Sequence, residues 1–69
     1  MKYLEFNPGI AGGEPVIKGT RIRITQFINF MRNGVSEVQL HEWYPWVSKK
    51  KISGAIDEAN ELITNAAHA

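Results

Sequence analysis

The stretch Val35-Ser36-Glu37-Val38-Gln39-Leu40-His41-Glu42-Trp43-Tyr44-Pro45-Trp46-Val47-Ser48-Lys49-Lys50-Lys51-Ile52, running on to Ala59, decides the fold of this 69-residue chain. Ser36 is placed to cap a short helix, because its hydroxyl can accept from a backbone N–H that has no partner inside the helix. Gln39 comes three residues later, the spacing of a capping box, and Val35 and Leu40 stand at the positions of a hydrophobic staple. Pro45 cannot continue the helix and biases Tyr44 away from helical angles. The corner is therefore Tyr44-Pro45-Trp46-Val47. Ser48 caps a longer helix behind it, with Val47 and Ile52 as a second staple. Two capped helices around a tight corner read as a helix-turn-helix.

Lys49, Lys50 and Lys51 come directly after the second cap. A helix N-terminus already carries partial positive charge, so each surface cation there costs roughly 0.3–1 kcal/mol. A bound anion reverses the sign, and phosphate is the usual one. Two readings compete: a solvated lysine run, and a phosphate-contacting helix start.

Working outward, the residues before this stretch predict a first helix over 26–33. Thr25 is its expected cap and Gly34 its stop. Ile24, Phe27, Ile28 and Met31 fall on one face, widened by Phe30. Upstream, Val16-Ile17 and Arg21 to Ile24 predict two extended arms around Lys18-Gly19-Thr20. In the second arm Ile22 and Ile24 alternate with Arg21 and Arg23, so one side is apolar and the other cationic. Residues 2–6 carry a weaker strand pattern. Asn7-Pro8-Gly9 and Gly12-Gly13 are breaks. Gly12-Gly13 lacks the spacing of a nucleotide-cradling loop. After the corner, Ile52, Ala55, Ile56, Ala59, Leu62, Ile63 and Ala66 form a stripe that predicts a third helix over 49–65. The stripe outlasts the two short helices that could cover it, and its Leu62–Ala66 end is expected to meet a partner. Gly54 costs about 1 kcal/mol relative to Ala, and its place in the helix points to a close approach by another backbone. Residues 65–69 are expected to fray, with His68 inert among them. His41 reads as a structural histidine, and Trp43, Tyr44 and Trp46 as cover for the core. The expected core is Ile24, Phe27, Ile28, Met31, Leu40, Trp43, Ile52 and Ile56.

The whole chain fits one domain, residues 1–69, with an N-terminal β arm to residue 24 and three helices over 25–66. At this size only about 60% of the unfolded surface is buried, so a well-packed core or a partner is needed. There are no cysteines, and His41 and His68 are the only histidines. This excludes a disulfide framework and a thiolate metal site, and no metal or cofactor is expected. No apolar run approaches the ~20 residues of a membrane span, and the N-terminus has no signal-peptide core. A cytoplasmic location is expected. Net charge is only +1, but it is unevenly spread. Residues 15–34 hold Lys18, Arg21, Arg23 and Arg32 and no acid, whereas residues 52–69 hold Asp57, Glu58 and Glu61 and no Lys or Arg. The result is a basic front and an acidic rear. No nucleophile–base pair or carboxylate pair stands out, so an enzyme is not expected.

The run Gly13-Glu14-Pro15-Val16-Ile17-Lys18-Gly19-Thr20-Arg21-Ile22 resembles a Gly-x-Pro-Val-Ile-x-Gly-Thr-Arg-Ile pattern. That pattern belongs to a group of short bacterial and archaeal proteins, domain-of-unknown-function family four-three-three. Gly34-Val35-Ser36-Glu37 and Tyr44-Pro45 match the helix start and the corner that family members carry after this run. The likeness spans residues 6–62. It implies a homeodomain-like, mainly α three-helix fold with a small N-terminal β element. It also implies an antitoxin role, as in many members, beside a PIN-like nuclease toxin. Lys49-Lys50-Lys51 departs from the acidic or mixed first turn usual in relatives.

The expectation is thus a helix-turn-helix antitoxin that binds its own operator in double-stranded DNA, as a homodimer or a heteromer with its toxin. Ser48, Lys49, Lys50 and Lys51 would lie on DNA, with Lys18, Arg21 and Arg23 as further anchoring points. The alternative is an interaction module that covers a toxin or another partner without touching DNA.

Overall fold

Three helices and a two-stranded sheet make up the protein, seen in a computed structural model that describes the backbone of residues 1–68 and the side chains of residues 1–64. The elements in order are β1 (Leu4–Glu5), a 3-10 turn (Ala11–Gly13), β2 (Val16–Ile17), α1 (Ile24–Arg32), α2 (Glu37–Trp43) and α3 (Lys49–His68). The three predicted helices are therefore present, with a small antiparallel sheet at the N-terminal end. Ala66, expected in the apolar stripe, and His68, expected to be inert, lie outside the described side chains.

The caps on α2 and α3 form as the spacing requires. Ser36 Oγ accepts from the Gln39 N–H at 3.1 Å, and Ser48 Oγ accepts from the Lys51 N–H at 3.1 Å. The capping box is only half made, because the Gln39 side chain turns to Glu42, 3.3 Å away, instead of reaching back to the cap. Tyr44 leaves the helix with φ −125° and ψ 66°, outside the α region that the following proline disfavours. Gly34 comes after α1 with φ +91°.

Thr25 is not the cap of α1. The helix begins two residues earlier than expected, at Ile24, and Arg23 occupies the cap position with no side-chain bond. The reason is tertiary: the Ile24 N–H donates to the Pro15 carbonyl at 3.1 Å, so a neighbouring segment satisfies the helix entry.

β1 and β2 pair antiparallel, with Leu4 opposite Ile17 and Glu5 opposite Val16. The second predicted arm does not become a strand. It joins β2 through one bridge, Val16 to Arg23, and the Ile17 N–H donates to the Ile22 carbonyl at 2.9 Å. The alternation along it holds: Ile24 is buried and Ile22 half-buried, while Arg21 and Arg23 are exposed.

The core is Leu4, Val16, Ile17, Ile24, Phe27, Leu40, Val47, Ile52, Ala55, Ile56 and Ala59. Each large aliphatic or Phe side chain in it contributes roughly 1.5–3 kcal/mol by leaving water. Ile28 and Met31 pack against it from a half-buried position. Trp43, expected inside, is 47% exposed and packs edge-to-face with the half-buried Phe30, ring centroids 5.3 Å apart. The arm is bolted to α3 by Glu58, whose carboxylate accepts from the N–H groups of Tyr3 at 2.8 Å and Leu4 at 3.1 Å. Glu58 is therefore not a free charge of the acidic rear but a structural acceptor. The close approach at Gly54 is made by a side chain: a Cβ there would collide with the ring of Tyr3.

Candidate nucleic-acid interface

The corner is fixed from both sides. The Val47 N–H donates to the Tyr44 carbonyl at 2.9 Å, and the buried Val47 side chain pins the turn to the core. His41 Nδ1 stands 2.7 Å from the Val47 carbonyl. A carbonyl only accepts, so this nitrogen carries the proton. His41 is the structural histidine expected, half-buried and tying α2 to the entry of α3.

Because Val47 and Ile52 must point inward, Ser48, Lys49 and Lys50 point outward, and all three are exposed. No acid stands in the first turn of α3. Lys51 is different. It is half-buried, and its ammonium donates to the Lys18 carbonyl at 2.9 Å. That bond brings the Lys18-Gly19-Thr20 turn beside the start of α3, although the two are 33 positions apart in sequence. The turn itself is tight. Thr20 Oγ1 donates to the Ile17 carbonyl at 2.7 Å and accepts from the Ile22 N–H at 3.0 Å. Gly19 has φ +82°, a backbone conformation that disfavours any side chain, and an added Cβ would also stand 3.6 Å from the Lys51 ammonium.

The seven residues singled out from the sequence therefore divide. Lys18, Arg21, Lys49 and Lys50 are exposed and make no ion pair among the described residues. Ser48 is the cap and Lys51 the strut between turn and helix. Arg23 is set apart: its Nε lies 3.2 Å from Glu14, both side chains about half exposed. It also faces a different hollow from Arg21, one lined by Thr25, Asn29 and Phe30 on the outer side of α1. Arg21 borders an open concavity of about 630 Å³ with Gly19, Ile22, Gln26 and Trp46.

Sequence reasoning missed Trp46, which is 70% exposed rather than cover for the core. The signal was present in the staple. If Val47 packs inward at the corner, the residue before it is turned outward. Tyr44 holds the indole edge-on, with centroids 5.5 Å apart, and itself rests on Phe27 at 5.1 Å.

A second surface lies on the opposite end of α3. Ile63 is 54% exposed and Leu62 36%, and Ile63 lines a groove with Ile28, Met31 and Ile56, edged by Arg32. Among the described residues no group of three or more His, Asp or Glu side chains could hold a metal ion. No described helix is long and apolar enough to cross a membrane.

Two short helices, a longer third one with a β arm latched onto it, and exposed cations at the start of that third helix make a small, mainly helical domain. The chain belongs to the family described as Protein of unknown function (DUF433), whose model matches residues 4–59. Its fold is similar to that of a DUF433 member protein from Anabaena variabilis, solved by crystallography at 2.00 Å. The two share 23% identity with a TM-score of 0.73, over 97% of this chain and 69% of that one. At that identity the likeness is one of fold. No curated protein matches the chain.

Proposed function

We propose that this protein is the DNA-binding antitoxin of a toxin–antitoxin pair, a cytoplasmic, non-catalytic autorepressor that also neutralises a PIN-like nuclease. The observation that carries the DNA part is the bond from the Lys51 ammonium to the Lys18 carbonyl. It sets the Lys18 turn beside the start of α3, where Lys49 and Lys50 are also exposed. A helix-turn-helix presents the first turn of its second helix to the major groove, while surrounding cations on phosphates fix the register. Ser48, Lys49 and Lys50 occupy that first turn. Lysine suits phosphate as a mobile point charge and can also reach guanine acceptors. Lys51 acts at second hand, as the strut, and Arg23 joins the contact only by releasing Glu14.

The partner-binding part rests on the exposed Leu62–Ile63 end of α3 and the groove beside it. This end takes a protein, as homodimer or as toxin complex, away from the DNA face. The same apolar end favours the second reading, an interaction module with no DNA role.

The test is a salt titration of binding to duplex DNA from the protein's own promoter, read by fluorescence anisotropy. Each phosphate neutralised adds about 0.9 to the slope of log K against log salt. Lys49→Ala with Lys50→Ala should weaken binding and flatten the slope by up to about 1.8. Toxin neutralisation should survive. Equal binding by both proteins, or no binding by either at low salt, would leave the lysines as a solvated face and favour the interaction module.

A further inference from the structure

We infer that Trp46 is a contact residue for duplex DNA, laying its indole on the apolar face of a sugar or on a thymine methyl beside the phosphates held by the lysines. The inference rests on the DNA-binding reading and adds a residue and a chemistry to it.

Four observations carry it. Trp46 is the most exposed large apolar side chain among the described residues, at 70%. An indole so placed gives up most of what burial would contribute, which asks for a partner. It is also held in place rather than loose. Tyr44 supports it edge-on, Tyr44 packs on the buried Phe27, and the Tyr44 hydroxyl accepts from Gln26 Nε2 at 3.1 Å. The ring thus keeps its position without a ligand, as a contact residue should.

The third observation is where it stands. Trp46 is two residues before the cap of α3 and shares its concavity with Arg21 and the Gly19 turn. Arg21 borders the same concavity, and the exposed Lys49 and Lys50 follow three and four residues later in the chain. A polyanion is the partner this charge fits. The fourth is the character of the concavity itself. Ile10 and Ile22 line it together with one acid, Glu5, and one cation, Arg21. A carboxylate there disfavours phosphate inside the hollow, whereas an uncharged sugar or base edge is accepted. Phosphates therefore go to the exposed lysines and the apolar part of the nucleotide to Trp46. Thymine, with its methyl in the major groove, is the base that apolar side chains recognise.

This division of labour gives a distinct signature. Trp46 carries no charge, so Trp46→Ala should weaken binding to the promoter duplex roughly five- to tenfold through the lost apolar contact, with an unchanged salt slope. Trp46→Phe should fall between the two. Both variants should melt like the wild type, since the ring is exposed. A Trp43→Phe protein keeps Trp46 as its one indole, and its emission should change when the duplex saturates it. Binding by Trp46→Ala equal to wild type, a slope that falls with the affinity, or an emission unmoved by DNA would each overturn the inference. These outcomes leave the lysine surface standing. A wild type that binds no duplex at low salt overturns the DNA-binding reading, and the role of Trp46 with it.

Discussion

Gly54→Ala is the substitution on which a helix-propensity argument and the tertiary structure disagree in sign. In the interior of α3, replacing Gly by Ala removes conformational freedom from the unfolded chain and should stabilise by about 1 kcal/mol. The structure opposes this. The added Cβ would stand 2.8 Å from Cγ of the Tyr3 ring and closer still to two further ring carbons. Cγ is the root of the ring, so rotation about χ2 cannot relieve the contact. The ring must leave its place, by a change of χ1 or by a shift of the backbone whose N–H is held by Glu58 at 2.8 Å. Overpacking of this kind costs typically about 1–3 kcal/mol. Displacing a half-buried tyrosine, with about 100 Å² returned to water, costs about 2.5 kcal/mol. Set against the helix gain, the net is a loss of about 1–2 kcal/mol. For a domain of this size that lowers Tm by about 4–15 °C. The assay is thermal and urea unfolding of four proteins: wild type, Gly54→Ala, Tyr3→Ala and the double variant. In the Tyr3→Ala background Gly54→Ala should stabilise, by about 1 kcal/mol. If it stabilises equally in both backgrounds, the ring does not lie over Gly54 and the placement of the arm is refuted.

Glu58→Ala removes the acceptor of two backbone N–H groups. It should cost about 1–3 kcal/mol in urea unfolding and speed hydrogen exchange at Tyr3 and Leu4. Protection of those amides left intact would show that the arm is held by its apolar contacts alone. Lys49→Ala and Lys50→Ala should each stabilise the free protein slightly, by about 0.3–1 kcal/mol, because cations oppose the α3 dipole. Lys51→Ala should instead destabilise it, since the strut to Lys18 is lost; three equal effects would contradict the division between free and bonded lysines. Ile63→Asp should shift sedimentation at micromolar concentration toward the monomer if α3 assembles through its exposed end, and a wild type already monomeric would count against assembly through this surface.

The helices were legible in the sequence because their signals are local. Ser36 and Ser48 cap with bonds that span three residues, and Pro45 stops α2 through its own ring. Gly34 ends α1, and the apolar spacing of Ile52, Ala55, Ile56 and Ala59 marks the buried side of α3. The run around Gly13 to Ile22 carried the family, which the match over residues 4–59 confirms. Local bonds, fixed spacings and the turn chemistry of proline and glycine act over a few residues, so one stretch of chain contains both partners.

What tertiary structure alone decided involves partners far apart in the chain. Arg23, not Thr25, holds the cap position of α1, and the Ile24 N–H finds its acceptor in the Pro15 carbonyl. Glu58 joins the core's support because the arm arrives from 54 positions away to meet it. Trp43 is left 47% exposed while Leu4, Val16 and Ile17 of the arm are buried in the core. The candidate site divides in the same way. The sequence places three lysines together, but which of them is free depends on a carbonyl contributed by the Lys18 turn. Composition and spacing constrain which faces are apolar or charged. Only the packing of one element on another decides which apolar residue is covered, which charge is already bonded, and which, like Trp46, is left facing out.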